Sequence, residues 1–223
     1  MAIRKVGVLG CGLMGSGIAE VAAKAGFEVV VREVDRALLD KGMGRLRGSL
    51  DKAVEKGKLP ADERDAALAR LRGTTEVADL AGCDLVIEAI IENVEEKKRA
   101  YAEVGTVAGP DVILASNTSS LTITQMAMAT RRPDRFVGLH FFNPVPVMKL
   151  VEVVRTLLAD DAVVAEVTGF CRALGKEPVQ CKDNSGFIVN RLLVPYMLDA
   201  IRGYEEGIGS IEDIDKAMQL GCG

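Results

Sequence analysis

Three groups of residues in this 223-residue sequence have types and spacings that could do chemistry. The first is Gly10-Cys11-Gly12-Leu13-Met14-Gly15, a G-x-G-x-x-G run. Glycines at these positions permit a tight turn and let the backbone approach a pyrophosphate, which the N–H groups of a following helix can hold. Gly10, Gly12, Leu13, Met14 and Gly15 are therefore candidate cofactor contacts. Glu33 lies eighteen residues beyond Gly15, where a carboxylate accepts hydrogen bonds from adenosine ribose hydroxyls. A 2′-phosphate would meet that carboxylate, which favours NAD over NADP, while the neighbouring Arg32 pulls the other way.

The second group is a pair. His140 is the only histidine, so imidazole chemistry has one address in this chain. Glu152 is a lone carboxylate within Leu150-Val151-Glu152-Val153-Val154. Burying it unpartnered would be costly, and an imidazole is its natural partner, fixed in one tautomer by the contact. A hairpin-like return through Pro144 and Pro146 could bring the two together. The third group is the polar run Ser116-Asn117-Thr118-Ser119-Ser120, directly after an apolar segment. A lone histidine, a strand glutamate and a Ser/Thr loop are each unremarkable in isolation. Alongside a dinucleotide fingerprint they suit hydride transfer at a carbonyl, which needs a proton handled nearby.

Such groups need a scaffold, and the sequence outlines one. Short apolar runs at 6–9, 27–31, 84–89, 112–115, 135–139, 150–154 and 178–181 read as strands. Helical patterns read at 14–25, 94–107 and 161–174, with another from an Asp35 N-cap towards Lys58 that Pro60 stops. Gly42, Gly44 and Gly48 weaken this last helix by about 1 kcal/mol each relative to alanine. The alternation predicts an α/β fold: a Rossmann-type, doubly wound, mostly parallel sheet with ligands at the strands' carboxyl ends. Residues 1–183 form that unit. From 184 the pattern turns helical, over 184–206 and 210–220, and reads as the beginning of an all-helical second domain, incomplete at 223.

Composition closes several other routes. One histidine and five scattered cysteines without a CxxC pair leave no multi-histidine zinc site and point to a reduced, cytoplasmic protein. Aromatics at 4% and a net charge of −4 disfavour nucleic acid as a partner. No apolar run is long enough for a bilayer, and the first strand begins too early to leave room for a leader.

The fingerprint, Asp84-Leu-Val-Ile-Glu-Ala-Ile-Ile-Glu-Asn93, Ser116–Ser120, the segment from His140 to Glu152 and Gly186-Phe-Ile-Val-Asn-Arg191 together resemble the 3-hydroxyacyl-CoA dehydrogenase family, its bacterial 3-hydroxybutyryl-CoA members in particular. The resemblance spans essentially the whole chain. It implies NAD-dependent interconversion of a (3S)-3-hydroxyacyl-CoA, of short chain, and the 3-oxoacyl-CoA. It implies His140 as general acid/base, Glu152 as its partner, and Ser119 and Asn190 at the substrate's 3-oxygen. Glu92, Lys97, Asn143 and Ser119 fall where the family meets the nicotinamide half of the cofactor. A stripe of Lys41, Arg45, Lys52 and Lys56 stacks on one helical face; in isolation it is a solvated surface, and the resemblance makes Lys52 and Lys56 CoA contacts. Family members continue through further helices that close over the acyl chain and form a dimer. Against that pattern the chain stops early, which leaves open an NAD-binding but inactive fragment. A relative acting on a free hydroxy acid is the other alternative.

Overall fold

The computed structural model describes residues 3–222; Met1, Ala2 and Gly223, which the unit boundaries above include, lie outside the described residues. Eight strands, β1 (Lys5–Leu9), β2 (Glu28–Arg32), β3 (Leu71–Thr74), β4 (Leu85–Glu88), β5 (Ile113–Ser116), β6 (Phe136–Phe141), β7 (Leu150–Arg155) and β8 (Glu177–Lys182), form one sheet in the order β3-β2-β1-β4-β5-β6-β7-β8. Only the β6–β7 pairing is antiparallel. The chain winds outward from β1 through β2 to β3, then returns to lay β4 on the other flank of β1. That reversal opens a crevice between the carboxyl ends of β1 and β4, where sheets of this kind bind ligands.

The helices are α1 (Leu13–Lys24), α2 (Arg36–Glu55), α3 (Ala61–Ala69), α4 (Val94–Val107), α5 (Ile123–Ala127), α6 (Asp161–Ala173), α7 (Val189–Glu205) and α8 (Ile211–Cys222). They cover both faces of the sheet, because near-continuous apolar strands such as Leu85-Val-Ile offer both. Leu85 and Ile87 join one core with Ile18 of α1, Leu46 of α2 and Val163 of α6. Val86 points the other way, to Tyr101 and Val104 of α4 and Met126 of α5.

Sequence and structure differ at instructive places. α2 runs unbroken through its three glycines, and Gly42 is required: a Cβ there would sit 2.2 Å from the Cys11 carbonyl oxygen. Packing of α2 on the fingerprint turn outweighs the glycine's helix penalty. β3, α3 and α5 have no counterpart in the sequence reading, being short and only weakly patterned. The helix expected from 184 starts instead at Val189, because Gly186 and Phe187 adopt φ of 75° and 50°, outside the helical region. On α7 the apolar Leu192, Leu193, Met197 and Ile201 remain exposed, and α8 buries no residue. No helix among the described residues is long and apolar enough to cross a membrane.

Candidate active site

The glycine turn leaves β1 and enters α1 at the mouth of the crevice. Gly10 has φ 91°, and a Cβ there would lie 2.7 Å from the Ala89 carbonyl oxygen. At Gly15 a Cβ would lie 1.9 Å from the Gly10 carbonyl oxygen, so both glycines are demanded by the protein's own backbone. Gly12 differs, since a Cβ there would meet nothing within 4 Å. It is the N-cap of α1 and no side chain caps the helix, which leaves the first turn's N–H groups without a side-chain acceptor. A residue kept bare without an internal reason, at a positive helix end, fits a dinucleotide pyrophosphate.

Glu33 sits against the glycine turn. Its Oε1 accepts from the Cys11 N–H at 2.6 Å and its Oε2 from Val34 N–H at 2.9 Å. Arg32 turns elsewhere, donating from Nε to the Thr75 carbonyl at 3.3 Å and approaching Glu103 at 3.8 Å. The carboxylate, not the guanidinium, faces the glycine turn. Arg45 of α2 donates to the Cys11 carbonyl at 3.2 Å. Burial first, and then the Glu33 charge, pushes the Cys11 thiol up to about 11, so it stays neutral.

At the far side of the cleft β6 and β7 pair His140 directly with Glu152. The His140 Nδ1 and Glu152 Oε2 are 2.7 Å apart. Glu152 is fully buried, and its Oε1 accepts from the N–H groups of Ile188 and Val189, 3.0 Å each, at the start of α7. Phe142 and Phe187 flank the imidazole, with ring centroids 4.4 and 5.5 Å away. With Nδ1 engaged, Nε2 is the nitrogen left for the cleft. The loop after β6 is fastened from behind: Lys176 donates to the carbonyls of Val145 and Met148, and Val145 packs so tightly on α1 that a Cβ at Gly17 would lie 2.9 Å from it.

A cleft of ≈370 Å³ joins these parts, lined by Met14, Glu92, Lys97, Ser119, His140, Asn143 and Asn190 among others. Asn190 approaches the Ser119 carbonyl from Nδ2 at 3.4 Å. Glu92 accepts from the Thr118 hydroxyl and the Ser119 N–H, and its Oε2 lies 3.2 Å from Lys97 Nζ. Asn117 accepts from Phe141 N–H at 2.9 Å, tying the ends of β5 and β6 together. Lys52 and Lys56 are not brought in; both are exposed at the far end of α2 and neither lines the cleft.

Glu88 has no role in the sequence-based expectations, and Thr118 figures there only as part of the polar run 116–120. Glu88 ends the apolar strand β4 as a fully buried carboxylate. The signal that singled out Glu152, one carboxylate in an apolar strand, was equally present there. No cluster of three or more metal-ligating side chains occurs among the described residues.

A glycine turn at a switch point with a carboxylate against it, beside a cleft that holds an imidazole–carboxylate pair, is the architecture of a nicotinamide-dinucleotide oxidoreductase. Residues 5–184 match the family model "3-hydroxyacyl-CoA dehydrogenase, NAD binding domain" and residues 186–223 match "3-hydroxyacyl-CoA dehydrogenase, C-terminal domain". The 3-hydroxybutyryl-CoA dehydrogenase of Mycobacterium tuberculosis is 52% identical over 222 residues, covering 99% of this chain and 78% of that protein. The human mitochondrial hydroxyacyl-coenzyme A dehydrogenase is 48% identical over 227 residues, covering 99% of this chain and 72% of its own length. The crystal structure of (S)-3-hydroxybutyryl-CoA dehydrogenase PaaH1 from Ralstonia eutropha superposes with a TM-score of 0.97 at 44% identity, covering 99% of this chain and 78% of that one. The chain belongs to the 3-hydroxyacyl-CoA dehydrogenase family, and NAD is its cofactor. It is an NAD-dependent oxidoreductase of 3-hydroxyacyl-CoA substrates.

Proposed function

We propose that the substrate is a short acyl thioester, (3S)-3-hydroxybutyryl-CoA, and that His140 moves the proton of its 3-hydroxyl. The observation that carries this reading is the His140–Glu152 pair, 2.7 Å apart and opening on the cleft that also holds Ser119 and Asn190. Bound NAD supplies the hydride acceptor, or in reverse NADH the donor, at the nicotinamide C4. In the oxidative direction His140 Nε2 takes the hydroxyl proton as hydride leaves C3. Glu152 holds the ring in one tautomer and balances the imidazolium charge, and a base so placed contributes about 10²–10⁴-fold. In reduction the same nitrogen returns the proton while Ser119 and Asn190 polarise the 3-oxo group.

Gly10, Gly12, Leu13, Met14 and Gly15 hold the pyrophosphate and Glu33 the adenosine ribose. Glu92, Lys97, Ser119 and Asn143 meet the nicotinamide half. Lys52 and Lys56 could reach only the outer, phosphate-bearing part of CoA, since both stand outside the cleft. Residues 1–183 form the nucleotide-binding unit and 184–223 a helical substrate and dimerisation segment. The exposed apolar face of α7 supports a homodimer. The protein works in the cytoplasm, in fatty-acid metabolism.

The test is NADH oxidation by this chain with acetoacetyl-CoA and with free acetoacetate, NADPH being run in parallel. Turnover of the thioester with NADH alone is expected. Preference for free acetoacetate would overturn the substrate assignment, and equal use of NADPH would overturn the role given to Glu33.

A further inference from the structure

Beneath the cleft lies a polar network centred on Glu88, a residue that the reaction described above does not use. Glu88 is 0% exposed and sits at the carboxyl end of β4, paired with Leu9 of β1 on one side and Ser116 of β5 on the other. This is the middle of the switch-point crevice. A carboxylate there is expensive unless every lone pair is answered. Its Oε1 accepts from Ile90 N–H at 2.8 Å and from the Lys97 ammonium at 2.5 Å. Its Oε2 accepts from the Ser116 hydroxyl at 2.7 Å and the Tyr101 hydroxyl at 3.2 Å. Burial, and then the charge of Glu88, raises the Tyr101 phenol well above its ordinary range, so it remains a donor.

The network reaches the cleft at Glu92. Lys97, 1% exposed, reaches from Glu88 up to Glu92, whose side chain is 42% exposed and lines the cleft. Glu92 in turn accepts from Thr118 and Ser119. The Glu88–Ile90 bond fixes the turn between β4 and α4 on which Glu92 stands. Glu88 thus reaches Glu92 through the backbone turn, through the ammonium below it and through Ser116 and Thr118.

We infer that Glu88 is a positioning residue that sets the geometry of the nicotinamide half-site by aiming Glu92 from beneath. This rests on the reading that Glu92 meets the nicotinamide half of the cofactor. With a neutral side chain at 88, Lys97 would have Glu92 as its only carboxylate partner and would draw it down from the cleft. The His140–Glu152 pair, on other elements, would keep its shape, whereas Ser119, whose N–H Glu92 accepts, would feel a smaller share of the shift.

The experiment measures NADH Kd by cofactor fluorescence, KM for acetoacetyl-CoA and thermal midpoint for E88Q, E92A and E88Q/E92A. E88Q is expected to raise NADH Kd about tenfold, the worth of a charge-assisted hydrogen bond, and acetoacetyl-CoA KM by a clearly smaller factor. In the E92A background the same change should cost less than about twofold more, because its route to the cofactor is gone. A lowered midpoint with unchanged NADH Kd, or full additivity with E92A, overturns the inference and leaves Glu88 as packing. E92A that binds NADH like the parent overturns the Glu92 reading and this inference with it, whereas weakened E92A beside unchanged E88Q removes the inference alone. If E88Q does not fold, E88D keeps the charge but withdraws it by one methylene. The same NADH-selective weakening is then expected, and unchanged binding overturns the inference.

Discussion

Glu152 holds two things at once: its Oε2 lies 2.7 Å from His140 Nδ1, and its Oε1 takes the N–H groups of Ile188 and Val189 at the start of α7. The imidazole and the helix carrying Asn190 are therefore fixed to a single carboxylate. The consequences for the two residues separate cleanly.

On the proposed mechanism, His140→Ala removes the group that exchanges a proton with the substrate and nothing that holds NAD. Turnover should fall by at least about 10²-fold, while NADH binding changes little. Steady-state kinetics with acetoacetyl-CoA beside NADH fluorescence titration checks this, and near-parental turnover would sink the assignment of His140.

Glu152 should show two losses that different substitutions resolve. E152Q keeps an oxygen acceptor and should lower kcat by about two orders of magnitude with a modest change in stability. E152A also strands the N–H groups of Ile188 and Val189, each costing about 1–3 kcal/mol when left unpaired. Urea denaturation should rank E152A clearly below E152Q. Equal stabilities would mean that α7 does not depend on this carboxylate.

Two glycines of α2 should respond in opposite directions to the same change. At Gly42 a Cβ would clash with Cys11 backbone at 2.2 Å, so G42A should destabilise by about 1–3 kcal/mol and weaken NADH binding through the displaced turn. At Gly44 a Cβ meets nothing within 4 Å, and G44A should stabilise by about 1 kcal/mol through helix propensity. Denaturant midpoints of the pair decide it.

Burial pushes the thiols of Cys11 and Cys83 from an ordinary 9.0 to about 11, and those of Cys171 and Cys181 to about 12. A raised folded value means that the fold binds the thiol proton more tightly than the unfolded chain does. Stability from this source is complete below pH 9.0 and is lost as pH climbs towards about 11–12. Alkylation at pH 8 should consequently label the exposed Cys222 first and spare NADH binding. Rapid labelling of Cys11 by mass spectrometry would contradict the neutral, buried thiol.

Sequence by itself determined the parts that depend on local spacing. The G-x-G-x-x-G turn between strand and helix, the Glu33 carboxylate at the end of β2 and the Asp35 cap, whose carboxylate accepts from Leu38 N–H at 2.8 Å, were all legible because neighbours in the chain create them. His140 and Glu152 were legible as a pair because a buried carboxylate demands a partner and the chain offers one imidazole. Short β3 and the late start of α7 were not, since neighbouring strands and the left-handed Gly186–Phe187 step decide them.

Which polar groups meet is set by the packing of distant elements. Gly42 looked like a flaw in a helix until α2 was seen pressed against Cys11. Arg32 and Glu33 looked like rivals for the ribose until one was found turned towards Thr75 and Glu103. Glu88, Ser116 and Tyr101 come from three separate elements, and nothing in their spacing announces a shared site. The energy of a buried charge depends on where its partners sit in space, and the fold alone sets that distance.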